Sequence, residues 1–453
     1  MQVNSHVFRE YDIRGLVERD LTDEFVYNLG RACGTHYRRH GVGRVALARD
    51  GRESSPHLRD VLAQGLMQTG CDVVDIGMVP TPLLYFSLFM IDVGGGIMIT
   101  GSHNPPEYNG FKVALGRTTI YGDEIQQLRR LMETEDFVAA APGTSEQREI
   151  VNLYQQHVIG RLRLGSRRVK VVVDAGNGMG GFVGAPLYRQ LGFDVVELYC
   201  EPDSRFPHHH PDPTVVENMQ DLIATVLREK ADVGIAYDGD ADRIGVVDEQ
   251  GRIIWGDQLM IIFAREILKE QPGATFISEV KCSQTLFDDI AQHGGRPIMW
   301  KVGHSPIKAK MKEERAALAG EMSGHIFFAD RYFGYDDAIY AGARLLEILS
   351  NTETPLSGLL AGVPPMVATP EIRVECPDEK KFSVVEQLVA VFKQEYSVID
   401  IDGARILFDG GWGLVRASNT QPALVLRFEA TDHERLQQIR QTVEAKLNQL
   451  MCA

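Results

Sequence analysis

The feature that most restricts the fold is a pattern that occurs three times: an apolar strand ending in a polar turn, a helix, a glycine, and a second apolar strand. The first copy runs from Val45-Ala-Leu-Ala-Arg-Asp-Gly51 through a helix around 56–69 to Gly70-Cys-Asp-Val-Val-Asp-Ile76. The second joins Val171-Val-Val-Asp-Ala-Gly176, through a helix around 184–191, to Gly192-Phe-Asp-Val-Val-Glu-Leu198. The third leads from Thr275-Phe-Ile-Ser-Glu-Val280 through a helix near 285–292 to Gly294-Gly-Arg-Pro-Ile-Met-Trp300. Strand, helix and strand with short connections make a βαβ unit, with parallel strands and a right-handed crossover. The chain thus reads as three related mixed-sheet α/β domains. Its 453 residues leave room for a fourth. That last stretch has a different order: strand, helix, three strands, and a closing helix with Leu436, Ile439, Val443, Leu447 and Leu450 on one face. It reads as a C-terminal α+β domain. Breaks are expected after the Pro- and Ala-rich 139–145, near Gly256 and at Pro364-Pro365. They give domains 1–145, 146–256, 257–365 and 366–453 around a central cleft.

Thr100-Gly-Ser-His-Asn-Pro-Pro-Glu-Tyr-Asn-Gly-Phe-Lys112 follows an apolar run, and its glycines, asparagines and prolines favour tight turns. Such a loop at the carboxyl end of a strand is where open α/β sheets place ligands. Ser102 is expected to sit exposed on it, with Lys112 carried back toward it. A hydrolase nucleophile elbow fits less well, because Thr100 and Asn104 stand where it needs glycines. Earlier in the chain, Tyr11-Asp-Ile-Arg-Gly15 precedes any helical period, which predicts Arg14 in a loop.

Composition excludes several partners. The net charge of -15, from 62 acidic and 47 basic residues, argues against a nucleic-acid or anionic-membrane surface, which needs a positive footprint. No apolar run reaches the length of a membrane helix, and the polar N-terminus lacks a signal-peptide pattern. Six scattered cysteines without Cys-x-x-Cys indicate neither zinc nor a disulfide framework, so a reducing, cytoplasmic home is expected.

The strongest metal signal is Asp238-Gly-Asp240-Ala-Asp242-Arg243 between two apolar strands. Three carboxylates in one turn repel one another unless a hard divalent cation neutralises them, and an all-oxygen set suits Mg²⁺ or Ca²⁺. An EF-hand is ruled out by Arg243 at the sixth loop position, where glycine is required, and by strand-like flanks. Mg²⁺ is therefore expected. A competing signal is Gly176-Asn-Gly178-Met-Gly180-Gly181, a formal Gly-x-Gly-x-x-Gly after a strand with Glu197 about 20 residues on, the pattern of a dinucleotide site. It would imply an NAD-linked oxidoreductase, but would leave the serine and aspartate loops without a role. The plainer reading is a glycine turn that lets strand and helix pack closely.

Gly320-Glu321-Met-Ser323-Gly-His325 combines a carboxylate, a hydroxyl and an imidazole, a set suited to reading sugar hydroxyls, although a polar hairpin turn would look the same. Arg416-Ala-Ser418-Asn419-Thr420 offers a cation, hydroxyls and an amide, as capture of a phosphate dianion requires. Lys281 and the Gly303-His304-Ser305 turn add donors.

In this order the four loops resemble those of the α-D-phosphohexomutase family, and the resemblance covers nearly the whole chain. It implies a four-domain enzyme, expected to act as a monomer, that uses Mg²⁺ and a phosphorylated Ser102. It also implies interconversion of hexose 6-phosphate and hexose 1-phosphate through a hexose 1,6-bisphosphate that reorients in the site. Met322 resembles the phosphomannomutase/phosphoglucomutase branch rather than the phosphoglucosamine mutases, which usually carry glutamine there. By the same resemblance, Ser102, Asp238, Asp240 and Asp242 would hold the metal. Arg14 and Arg243 would neutralise the transferring group, and Lys112, His304 and His325 are the candidates for moving the proton. Tyr11, Lys281, Gly303, His304, Glu321, Ser323, Arg416, Ser418, Asn419 and Thr420 would bind substrate, with the fourth domain as a phosphate-binding lid.

Overall fold

The computed structural model describes residues 3–418 and 421–451, so Asn419, Thr420 and Cys452 lie outside the described residues. Each of the three repeats forms a parallel strand pair flanking a helix. Arg44–Arg49 pairs with Asp72–Met78, Lys170–Asp174 with Asp194–Leu198, and Thr275–Glu279 with Arg296–Trp300. The intervening helices are Ser55–Gln68, Gly181–Gln190 and Gln284–Gln292. In every unit, the parallel core is extended by an antiparallel pair that returns the chain: Gly95–Ile99 with Tyr108–Leu115, Val233–Tyr237 with Ile244–Asp248, and Leu318–Gly320 with Ile326–Phe328. All three sheets are therefore mixed. The fourth, built on Ala404–Phe408, Gly411–Ala417 and Ala423–Ala430, is antiparallel, with Asp378–Phe392 and His433–Met451 packed on one face.

Those three antiparallel returns carry the serine, aspartate and glutamate loops respectively. One repeated piece of topology thus positions three different chemistries.

Packing then fixes the domains against one another. A single apolar core, including Phe86, Tyr154, Tyr188, Tyr237 and Ile339, runs through the first three units. The helix Ala338–Ser350 is buried on all sides, packed against strands of the second and third sheets. Its two buried charges, Arg344 and Glu347, pair with each other and with Asp330 and Arg331, so the otherwise apolar helix can sit inside the core. The fourth domain keeps its own core of Leu388, Ile406, Leu426, Phe428 and Ile439. It is tied to the third by Arg405, which donates to the carbonyls of Val280 (2.6 Å) and Cys282 (2.8 Å) while lying over the Trp412 ring. Glu429 accepts from Ser283, Gln284 and Trp412 at the same seam.

Two local expectations change. Arg14 is not in a loop but in the strand Ile13–Leu16, where it pairs with Gly110 and so stands beside the serine loop. The segment read as a linker ends in a strand, Ser145–Gln147, which adds to the edge of the first sheet. No helix among the described residues is long and apolar enough to cross a membrane. The described cysteines are free and buried.

Candidate active site

A cleft of about 1340 Å³ opens between the four domains. Its lining includes Tyr11, Arg14, Ser102, Lys112, Asp242, Arg243, Lys281, Gly303, His304, Glu321, Ser323, His325, Arg416 and Ser418. Asp238 and Asp240 lie behind that wall, fully buried.

Ser102 departs from the sequence expectation. It is 4% exposed rather than open to solvent, because the aspartate loop of the second domain closes over it. Its Oγ donates to Asp238 Oδ2 at 3.0 Å and lies 3.1 Å from His103 Nδ1. Its backbone has φ 48°, a left-handed value that a serine adopts only when its surroundings impose it. The constraint comes from Arg52, whose guanidinium donates to the carbonyls of Ser102, Asn104, Pro105 and Tyr108. Asp50 accepts from Gly101 N and from Ser55 Oγ, fixing the start of the same loop.

The three aspartates bring ligand oxygens to within 4.8 Å of one another. Asp238 Oδ1 accepts from the backbone N–H groups of Asp242 and Arg243, which folds the turn tightly. Asp240 Oδ1 and Asp242 Oδ1 are buried without a hydrogen-bond partner. Buried carboxylate oxygens left unpaired, in an all-oxygen set beside the serine hydroxyl, fit a hard divalent cation such as Mg²⁺. Burial, with Asp242 and Asp240 alongside, pushes the Asp238 carboxyl well above its usual range. Asp240 goes the other way: burial opposes its charge, but Lys112 and the Thr81 hydroxyl hold it low.

Lys112 reaches in from the strand Tyr108–Leu115 and donates to Asp240 Oδ2 at 2.7 Å and Asp242 Oδ2 at 2.5 Å. A lysine acting as a base needs a lowered pKa. Here burial acts in that direction, but the two carboxylates outweigh it and the ammonium is held well above its ordinary value.

The imidazoles behave differently. His304 is pushed well below its ordinary pKa by burial and then by Lys308, so it is neutral at physiological pH. His325 Nε2 accepts from Arg243 Nε at 3.0 Å, and its Nδ1 lies 3.1 Å from Asp336 Oδ2. Lys308 pairs with the other oxygen of Asp336 at 3.0 Å. Glu321 Oε1 accepts from Gly303 N at 2.7 Å, and Gly303, at φ 125°, has no room for a side chain because a Cβ would stand 2.6 Å from the Tyr11 ring. Tyr11 in turn donates to Val302 O, and Asp402 accepts from Val302 N (2.9 Å) and from Arg416 Nε (3.1 Å). The backbone of Val302 thus joins the first, third and fourth domains.

The glycine turn proposed for a dinucleotide is occupied by protein. A Cβ on Gly178 would stand 2.9 Å from Gly239 O, and Gly180 lies against the Tyr237 ring, so the glycines let the second domain's own loop pack under the aspartates. Arg52, Thr81, Asp336 and Asp402 were not singled out in the sequence. Arg52 follows a strand end in the first repeat, a position that favours ligand loops. Asp337, beside Asp336 ahead of a helix, is an N-cap signal rather than a catalytic one.

Four family descriptions match the chain in order. The phosphoglucomutase/phosphomannomutase alpha/beta/alpha domains I, II and III match residues 5–139, 152–251 and 255–366, and the C-terminal domain matches 371–446. A phosphomannomutase/phosphoglucomutase of Pseudomonas putida is 47% identical over 97% of this chain and 95% of its own. A phosphoglucomutase of Neisseria gonorrhoeae is 46% identical over 98% and 97%. The crystal structure of a phosphoglucomutase/phosphomannomutase family protein from Burkholderia thailandensis superposes with a TM-score of 0.94 at 43% identity, covering 99% of this chain and 98% of that one. With the serine, aspartate, glutamate and arginine loops facing one cleft, and all four domains matched in sequence order, the chain belongs to the phosphoglucomutase/phosphomannomutase family of isomerases.

Proposed function

We propose that this phosphohexomutase interconverts the 6- and 1-phosphates of glucose and mannose through a phosphate carried on Ser102. The observation that carries the reading is the Ser102 hydroxyl against Asp238, beside Asp240 and Asp242, in the wall of a cleft that Arg416 also lines. Ser102, Asp238, Asp240 and Asp242 would hold Mg²⁺, which when bound offsets the charge of the serine phosphate.

Phosphoryl transfer needs mainly positioning and charge stabilisation. The bond from phosphorus to Ser102 Oγ breaks as a sugar hydroxyl oxygen bonds to phosphorus, and the hydroxyl proton passes to a protein base. His304, held neutral, is suited to accept it, while the Lys112 ammonium, paired with Asp240 and Asp242, would contribute positive charge at the same wall of the cleft. Arg14 and Arg243 flank the transferring group. Arg14 is held by Asp12 and by Asn104 Oδ1, and Arg243 by His325. Glu321, aligned by Gly303 N, would grip vicinal hydroxyls with Ser323 beside it, while Lys281, Arg416, Ser418, Asn419 and Thr420 hold the other phosphate. The bisphosphorylated intermediate must then turn end for end. The fourth domain would serve as the lid over that step, and its Val302–Asp402 contact would break when it opens.

The experiment is a ³¹P NMR assay of the purified chain with Mg²⁺, catalytic hexose 1,6-bisphosphate and either glucose or mannose 1-phosphate. Appearance of both 6-phosphates is expected, with Glu321→Ala raising KM and lowering kcat for both sugars. Turnover of the glucose compound alone would overturn the dual specificity. No turnover of either would overturn the reading.

A further inference from the structure

We propose that Lys308 is a positioning residue for the transfer: from behind the cleft wall it takes up the charge of Asp336, which otherwise faces His304 and His325, and so keeps His304 free to accept the sugar hydroxyl proton. This rests on the mutase reading and adds to it a residue that touches neither phosphate nor sugar.

Helical spacing puts Lys308 in place. His304 is the first residue of the helix His304–Glu314, and Lys308 follows one turn on, at i+4, on the same face. His304 and His325 line the cleft, whereas Lys308 stands behind it, only 8% exposed. Its Nζ donates to Asp336 Oδ1 at 3.0 Å and sits 4.3 Å from the centre of the Tyr85 ring. Asp336 is fully buried and turns its other oxygen toward the imidazoles, with Oδ2 3.1 Å from His325 Nδ1 and 3.9 Å from His304 Nδ1. One carboxylate thus stands between one ammonium and two imidazoles.

A buried ion pair is a poor source of stability, because desolvation of both charges offsets most of their attraction. What the Lys308 pair does is therefore read from where it stands. An anion beside an imidazole favours the imidazolium, and an imidazole that already holds its proton cannot act as a base. Asp336, from the bend ahead of the helix Ala338–Ser350, is the anion on His304, and Lys308, from the same helix as His304, is the cation that answers it. Lys112 also acts on His304 from the strand Tyr108–Leu115, but its own charge is taken by Asp240 and Asp242. The remaining neighbours are rings and a hydroxyl: His325 stacked at 5.7 Å, Tyr11 edge-on at 5.9 Å, and Ser305 Oγ 3.3 Å from Nδ1. The positive end of the helix dipole, at its first residue, works in the same direction as Lys308. Burial and then Lys308 accordingly lower the pKa of His304, with Asp336 opposing them. Without Lys308, the charge of Asp336 would fall to the imidazoles.

The test compares Lys308→Met, Lys308→Arg, the milder Lys308→Gln, which keeps a hydrogen bond to Asp336 without the charge, and the double variant Lys308→Met/Asp336→Asn with wild type. Two quantities are read: Tm without ligand, and kcat for glucose 1-phosphate from pH 6 to 9, taken as the ratio to wild type so that titration of the substrate phosphate cancels. Lys308→Met should lower Tm, since it leaves Asp336 uncompensated. In both uncharged single variants the kcat ratio should climb with pH by up to about tenfold per unit, the slope of a single proton. Lys308→Arg should give a flat ratio. The double variant, which removes the anion as well, should regain Tm and flatten the ratio, at a kcat below that of wild type. A ratio that does not change with pH in the uncharged single variants would mean that Lys308 only packs, and a slope that persists in the double variant would mean that the proton is not held through Asp336. Either result overturns the proposal while leaving the mutase reading intact. Wild-type turnover of glucose 1-phosphate is the control, and its absence would overturn the mutase reading and this inference with it.

Discussion

Ser102 Oγ lies 3.0 Å from Asp238 Oδ2, a contact between residues 136 apart in sequence that joins the first sheet to the second. A phosphate on that oxygen would face a buried carboxylate, and the two repel unless a cation lies between them. Phosphorylation of Ser102 and binding of Mg²⁺ would therefore be coupled, and such coupling is reciprocal. Calorimetric titration should find that the phosphorylated enzyme binds Mg²⁺ roughly 5- to 150-fold more tightly than the unphosphorylated one, the usual span of such couplings. Equal affinities would mean that the serine phosphate points away from the aspartate loop.

Lys112 is the cation that Asp240 and Asp242 hold in this structure. Lys112→Met leaves buried carboxylates uncompensated, which costs about 3–5 kcal/mol when one partner of a buried pair is removed. The variant should lose stability in EDTA and regain much of it in Mg²⁺. An equal drop in Tm with and without the metal would show that Lys112 and the ion do not share those carboxylates.

Arg52 holds four carbonyls of the serine loop from a position 50 residues upstream of Ser102. Arg52→Met should free the loop, lowering kcat by about 10²-fold through misplacement of the hydroxyl. Limited proteolysis should cut between residues 103 and 108 in the variant and not in wild type. A variant as resistant and as active as wild type would leave the loop's left-handed serine without an explanation.

Asp337 supplies a pH dependence whose sign can be worked out. Burial pushes its carboxyl up to about 6, despite bonds from Tyr340 N, Tyr332 and Tyr154. A raised carboxyl pKa means the folded protein binds this proton more tightly than the unfolded chain does. The ionised group therefore destabilises the fold above about 6, and the effect disappears as pH falls toward the unfolded value of about 3.9. Two units correspond to about 3 kcal/mol. In parallel thermal unfolding at pH 4.5, 5.5 and 7, the stability of wild type relative to Asp337→Asn should fall as pH rises. A flat difference would mean that Asp337 is ionised normally.

What the sequence revealed and what it hid follow from the range of the interactions. The serine, aspartate and glutamate loops are contiguous, and each lies on a short antiparallel return, so their residue types alone declare an anion, cation or hydroxyl chemistry. The three βαβ units were legible because apolar runs and glycine turns are local. The burial of Ser102 was not, because it depends on Gly239 of another domain packing onto the serine carbonyl. Arg14 looked like a loop residue because its strand, Ile13–Leu16, is only four residues long and is defined by its partner Gly110. Lys112 carried the right residue type, but the state of its ammonium is set by two aspartates more than 120 positions away. Asp402 gave no local signal, since it acquires meaning only from the docking of the fourth domain.

The central claim is that Ser102 carries the phosphate. Intact-mass and peptide mass spectrometry of the wild-type chain, before and after incubation with hexose 1,6-bisphosphate and Mg²⁺, tests it most directly. The expected result is a gain of about 80 Da confined to the peptide holding Ser102, absent from Ser102→Ala and removed by added glucose 6-phosphate. No mass gain under those conditions, or a gain on any other residue, would contradict the account.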